Sequence, residues 1–252
     1  MKESKSILGI RIDNFNNDFE DVLEKLKNEE NVLIVTLDVH QLLKVRSNKK
    51  LKETVNNASL VIAAHRTIAR GYNFIHKEKL EYMQDFIFFS NIMSYIDKKK
   101  MSMFLFGDNE KYFFTILGKI KKIYPNIRHL GNLDNPKDKE ELKKVFVGLK
   151  KISPDMFLIY MPFKKSLCWF DKNKENLKVK LCVPMSRPLD GFAGKIKSPN
   201  INILEANKEE AFYLKRNIFR IFLYFDYIFF WTLILFEKLA LKLKRNKNKE
   251  NK

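Results

Sequence analysis

Residues 31–64 read NVLIVTLDVHQLLKVRSNKKLKETVNNASLVIAA, and this stretch decides the fold. Two short runs rich in Val, Ile and Leu, NVLIVTL from Asn31 and SLVIAA from Ser59, flank an amphipathic stretch from Gln41 to Val55. Strand, helix, strand at this spacing is the signature of a βαβ unit, because parallel strands need a helix-length crossover. The pattern continues downstream. MSMFLFG from Met101, DMFLIYM from Asp155 and KVKLCVP from Lys178 are further candidate strands. Amphipathic stretches accompany them: Asp18–Lys27, Asp85–Lys98, Lys111–Lys122, Lys137–Lys151 and Lys164–Asn173. The opening ILGIRIDNF, residues 7–15, has room for a strand pair. The expectation is an α/β fold, a Rossmann-like, mainly parallel sheet with helices on both faces, over residues 1–200.

Two connections stand out. NLDNPKDKEE, residues 132–141, reads as a turn opening a helix, with Asp138 as its cap and Glu140 and Glu141 in the first turn. RPLDGFAGKIKSPN, residues 187–200, carries two glycines and two prolines and reads as an irregular loop of functional size. A boundary near Ser198–Glu205 precedes a helical appendage over 201–245 and a basic disordered tail over 246–252.

That appendage contains NIFRIFLYFDYIFFWTLILFEKLAL, residues 217–241, followed by KLKRNKNKENK. Apolar side chains ending in a lysine cluster suit an anionic membrane surface. The longest charge-free run is Tyr227–Phe236, about half of the roughly 20 residues a spanning helix needs. Counting across Asp226 would place a carboxylate mid-bilayer, at about 2.5–3.5 kcal/mol. On a helical wheel Arg216, Arg220, Tyr227, Lys238 and Arg245 share a sector, with Leu223, Ile234 and Leu241 among them. An interfacial helix with that sector facing water is the reading; a core helix and a single span are its alternatives.

The 252 residues carry a net charge of +18, which invites a nucleic-acid reading. The lysines are spread over every segment, and no nucleic-acid-binding motif accompanies them, so a solvated surface accounts for the charge and nucleic acid is not the expected partner. Cys168 and Cys182 form no CxxC and read as reduced thiols. No signal-peptide-like start is present, which points to a cytoplasmic body, peripheral or C-terminally anchored on the inner face of the cell membrane. GxGxxG, GxxxxGK[ST] and GxSxG are absent, there is no Asp-x-Asp pair, and the four histidines lack ligand spacing. Neither a metal nor a cofactor is expected.

Open α/β sheets bind ligands beyond the carboxyl ends of their strands. That rule selects Thr36–His40, Ala63–Thr67, Gly107–Glu110, Tyr160–Lys165 and Pro184–Asp190. In that order these segments resemble the motifs of the WecG/TagA/CpsF glycosyltransferase family. GIRIDNFNNDFEDVLEKL resembles the family's Gly-Ile, Asp-Asn and helix opening. VTLDVHQLLKV stands where it has Thr-x-Asn-x-Glu, and NNASLVIAAHRTIARG where it has Ala-Asp-Leu-Val-x-Pro-Asp-Gly. MFLFGDNEKYFFTILGKIKKIYPNI, SPDMFLIYMPFKKSLCWF, LDGFAGKIKSP and EEAFYLKRNIFR follow its later motifs, so the likeness covers about residues 7–216.

The resemblance implies transfer of an N-acetylmannosamine-type sugar from a UDP-sugar donor to a polyprenyl-diphosphate-linked acceptor. It also locates departures. Ala63 and Ala64 occupy the family's Pro-Asp, whose carboxylate is the catalytic base, and His65 occupies the Gly. Asp38 replaces the Asn and His40 the Glu, while Thr36 is kept. Lys164 and Lys165 stand in the Pro-x-Gln-Glu loop. Asp190, Ala193, Gly194, Lys195 and Pro199 survive. An alanine methyl takes no proton, so Asp38, His40 and His65 become the candidate bases. Thr36, Ala64, Lys164, Lys165, Asp190, Lys195 and Arg216 become the candidate substrate contacts. The alternative is a non-catalytic homologue, a membrane-associated scaffold or sugar-nucleotide-binding protein.

Overall fold

A computed structural model of the chain describes residues 4–15, 19–26, 29–206, 208–214 and 223–250. It opens with the antiparallel hairpin β1 (Lys5–Ile7) and β2 (Ile10–Ile12), the strand pair expected there. Then follow α1 (Phe19–Leu26), β3 (Val32–Leu37), α2 (Val39–Arg46), α3 (Lys49–Asn56), β4 (Leu60–Ala63) and α4 (Arg66–His76). The middle of the chain holds α5 (Asp85–Lys98), β5 (Ser102–Gly107), α6 (Phe113–Ile123), β6 (Arg128–Asp134) and α7 (Lys139–Ile152). Next come β7 (Met156–Tyr160), α8 (Phe163–Asn173), β8 (Leu181–Pro184) and α9 (Arg187–Phe192). The short helices α10 (Ile201–Glu205) and α11 (Glu209–Leu214) precede the long α12 (Leu223–Glu250).

Six strands form one sheet in the order β4-β3-β8-β7-β5-β6, and every neighbouring pair is parallel. Side chains alternate between its faces, as the period of two requires. Leu33, Val35 and Leu37 of β3 enter one apolar core, with α2, α3, α4, α8 and α12. Val32 and Ile34 enter the other, with α1, α5 and α6. Both faces are covered, which is why these strands read as continuous apolar runs.

Two local readings need correction, and two elements, β6 and α4, were not read from the sequence. The stretch 41–55 is two helices, not one: α2 ends at Arg46, and the Asn48 side chain caps α3 by accepting from the Leu51 N–H at 3.0 Å. β6, RHLGNLD, carries no strand-like apolar pattern because it is an edge strand exposed along much of its length. α4, RTIARGYNFIH, is helical despite its Gly and β-branched residues, because Ile68, Ala69 and Tyr72 bury against the body. The loop 187–200 begins as α9, with Pro188 in the first turn, where its missing N–H costs nothing. Asp138 caps α7 as expected, accepting from the N–H groups of Glu140 and Glu141.

α12 lies along α2 and α4. Phe230 and Ile234 are fully buried in the core, and Tyr227, Trp231 and Leu233 pack at its margin. Gly71 on α4 makes this possible: a Cβ there would sit 2.8 Å from the tip of the Phe230 ring. Lys238 Nζ lies 3.2 Å from the centre of the Phe74 ring, and the Leu8 N–H donates to Glu237 Oε2 at 2.9 Å. The wheel sector around Tyr227 and Lys238, read as facing water, therefore faces the protein. The opposite face is open and apolar: Phe225, Ile228, Phe229, Leu235, Phe236, Leu239 and Leu243 are all exposed. At 100° per residue they span a stripe of about 120°. The helix continues through Glu250, past the point where a disordered tail was expected. No helix among the described residues is long and apolar enough to cross a membrane.

Candidate functional site

Because all six strands run the same way, their carboxyl ends gather on one edge, and the segments after β3, β4, β5, β7 and β8 meet there. A narrow pocket between them is lined by Thr36, Gln41, Asp85, Met161, Ser166 and Arg187, among others. Thr36, next to the end of β3, is buried in its wall. Two ionic groups flank the pocket.

The first is built on Arg187, the opening residue of α9. Its guanidinium reaches Asp38 Oδ2 and Glu209 Oε1, each at 3.3 Å. Asp38 is also the cap of α2: its Oδ1 accepts from the Gln41 N–H at 2.7 Å, and the Gln41 side chain accepts from the Asp38 N–H at 2.8 Å. This reciprocal capping box and the arginine leave Asp38 little capacity as a free base.

The second group follows β7. Tyr160 Oη donates to Asp190 Oδ1 at 2.6 Å, and Lys195 Nζ donates to the same oxygen at 2.7 Å and to Tyr160 Oη at 3.1 Å. Burial, then the bond to the Asp190 carboxylate, raises the Tyr160 phenol well above its ordinary pKa. Lys195 Nζ also lies 5.1 Å from the Tyr112 ring centre, a cation over an aromatic face. Nearby, Lys165 in the first turn of α8 pairs with Asp108 at 2.8 Å, while Lys164 is exposed beside it. Gly107, at the end of β5, permits close packing here, since a Cβ would fall 2.2 Å from the Tyr160 carbonyl oxygen.

The remaining candidates lie toward β4 and α12. Ala64 is buried, and its N–H donates to the Leu37 carbonyl at 2.8 Å. His65 caps α4, its Nδ1 accepting from the Thr67 N–H at 3.2 Å, and its ring rests on Tyr227 at 5.3 Å. His40 turns outward from α2, and its Nδ1 meets Asp226 Oδ2 of α12 at 2.5 Å. Arg216 lies outside the described residues. Trp169, four residues after Lys165 on α8, is core: its ring packs on Phe106 at 4.5 Å and on Phe157 at 5.8 Å.

Thr36, Asp38, Lys165, Asp190 and Lys195 are thus brought to one edge. Tyr160, Arg187 and Asp226 were not singled out from the sequence. Arg187 opens the loop flagged by its glycines and prolines and Tyr160 ends a strand, so position alone was a signal for both. Asp226 offered none beyond its isolation in an apolar run.

Parallel α/β sheets bind ligands at their carboxyl edge, and here that edge carries Lys165, Arg187, Lys195 and a tyrosine–carboxylate pair. The glycosyl transferase WecG/TagA/CpsF family model matches residues 5–244, nearly the whole chain. This protein belongs to that glycosyltransferase family, whose members work in cell-wall polysaccharide synthesis. No curated protein matches the chain.

Proposed function

We propose that the chain transfers an N-acetylmannosamine-type sugar from a UDP donor to a polyprenyl-diphosphate-linked acceptor, on the inner face of the membrane. The observation that carries this reading is a juxtaposition: the edge that bears Arg187, Lys165 and Lys195 meets, where β3 and β4 end, a helix whose outer face is an apolar stripe. A lipid-linked diphosphate sits at the bilayer surface, and a helix half-sunk in that surface would hold the edge against it. Burying one large apolar side chain of the stripe contributes about 1.5–3 kcal/mol, and the Lys242 and Lys244 side chains after it suit anionic headgroups. On this reading the helical segment from residue 201 onward is a peripheral anchor rather than a span. The donor's phosphates meet Lys164, Lys165, Lys195 and Arg187 without a divalent ion, since charge-assisted bonds to arginine and lysine neutralise phosphate directly. Arg216 belongs to the same proposed set.

The test is release of UDP by the purified full chain given a polyprenyl-diphosphate-linked hexosamine and a panel of UDP-sugars. Turnover with one donor supports transfer. Silence with every donor favours the second reading, a sugar-nucleotide-binding scaffold. Specific features favour that reading: a methyl group at Ala64 and the full engagement of Asp38 by its capping box and Arg187.

A further inference from the structure

Where β3 and β4 end, two imidazoles meet two adjacent residues of α12. The pair His65 and Tyr227 is a ring contact, and His65 Nδ1 is occupied as an acceptor in its helix cap. His40 is placed differently. Its Nδ1 faces the Asp226 carboxylate; against an ionised carboxylate Nδ1 carries the hydrogen, and in the neutral ring Nε2 then keeps its lone pair. The His40 side chain is also 42% exposed, at the segment that follows β3. Two carboxylates at this edge are committed elsewhere: Asp38 to the α2 cap and Arg187, Asp190 to Tyr160 and Lys195.

We propose that His40 is the proton acceptor of the transfer step and that Asp226, 186 residues further along the chain, is its positioning residue. This rests on the transferase reading above. In the step, the acceptor hydroxyl gives its proton to His40 Nε2 while its oxygen bonds to the anomeric carbon of the donor. The bond from that carbon to the β-phosphate oxygen breaks, and its electron pair leaves with UDP. The Asp226 carboxylate holds the imidazolium until the proton passes to water. A carboxylate that fixes the tautomer and steadies the charged ring is the arrangement by which imidazole bases act. It also explains a carboxylate inside an otherwise apolar helix: the residue that argues against a membrane span turns to His40. Seating of α12 is then a condition of catalysis and not only of attachment.

The experiment uses the full chain, a polyprenyl-diphosphate-linked hexosamine and UDP-N-acetylmannosamine, with other UDP-hexoses and UDP-N-acetylhexosamines in parallel, reading UDP release against pH. His40→Gln keeps a donor for Asp226 but cannot accept a proton, and it should lower kcat by about 10²–10⁴-fold with an unchanged melting temperature. Asp226→Asn should lower kcat by a smaller factor, and the double variant should be no slower than His40→Gln alone, since one group acts through the other. The wild-type kcat/KM should fall toward acid as an imidazole takes up a proton, a limb absent from His40→Gln. The titratable and charged groups at this corner are Asp226 and Tyr227 of α12, His65 at the start of α4, and Asp38 with Arg187. Persistence of the limb in His40→Gln therefore overturns the assignment. So does a wild-type rate in His40→Gln, or losses that add in the double variant, and both leave the transferase reading standing. No UDP release by the wild-type chain with any donor overturns the transferase reading and the role of this pair with it.

Discussion

The inner and outer faces of α12 both carry large apolar side chains, and these have opposite fates. Phe230 and Ile234 are sealed in the core, whereas Phe236, on the opposite side of the same helix, is 65% exposed. The inner face also holds the polar anchors, with Asp226 on His40, Glu237 on the Leu8 N–H and Lys238 over Phe74, while the outer stripe is almost purely apolar. A docked face tolerates polar groups because partners satisfy them, and a face turned to lipid has none to offer. The more hydrophobic side of a helix is therefore not always the side that faces its own protein.

The largest effect expected from this contrast is on the inner side. Phe230→Ala removes a fully buried ring and should weaken the docking of α12 by about 3–5 kcal/mol. Hydrogen exchange along residues 223–250 checks it; protection equal to wild type would mean the helix is not held by its inner face. On the outer side, Phe236→Ser should weaken binding to anionic vesicles by up to about 1.5–3 kcal/mol and leave the melting transition within about 0.5 kcal/mol. Co-sedimentation with vesicles measures the first and calorimetry the second. If stability falls while vesicle binding holds, the two faces have been assigned the wrong way round.

Gly71→Ala sharpens the packing side. Its methyl would press on the Phe230 ring, and overpacking of this kind costs about 1–3 kcal/mol. Combined with Phe230→Ala the loss should largely vanish, because the ring it collides with is gone. A double-mutant cycle in thermal unfolding reads this directly.

The smallest effect separates the helix from the sheet. At the amino edge Asp155 accepts from the Ser102 N–H and Oγ and pairs with Lys180 at 2.6 Å. Burial pushes its carboxyl up, but the bonds from Lys180 and Ser102 outweigh that and hold it below the ordinary 3.8. A carboxylate lowered on folding contributes stability that is complete above that value and is lost as pH falls through the lower folded one. Melting should therefore decline in that acid window, and Asp155→Asn should flatten the decline. None of its partners lies on α2, α4 or α12, so Phe230→Ala should leave the slope unchanged. A changed slope would show that acid acts through the helix.

Much of the architecture was legible because burial on both faces writes itself as continuous apolar runs, and β3, β4, β5, β7 and β8 all carry one. β6 was not, since an exposed edge strand such as RHLGNLD needs no apolar face. α4 was not, since its Gly71 and aromatic residues weaken a helical pattern that packing restores. The split between α2 and α3 was visible in principle at Asn48, a capping residue inside a long amphipathic stretch. At the site, Thr36, Asp38, Lys165, Asp190 and Lys195 followed from strand ends and from the resemblance, because chain order and strand direction place them on one edge.

The chain's linear pattern settled the alternation of strands and helices, the edge at which the strand ends gather, and the presence of a long apolar helix after them. Those are properties of local periodicity and of connections too short to run otherwise. Which way that helix turns, and that Asp226 comes to His40, depended on the shape of the groove between α2 and α4. Contacts between residues so far apart are chosen by fit and by the need to satisfy each buried charge, and no local pattern records them.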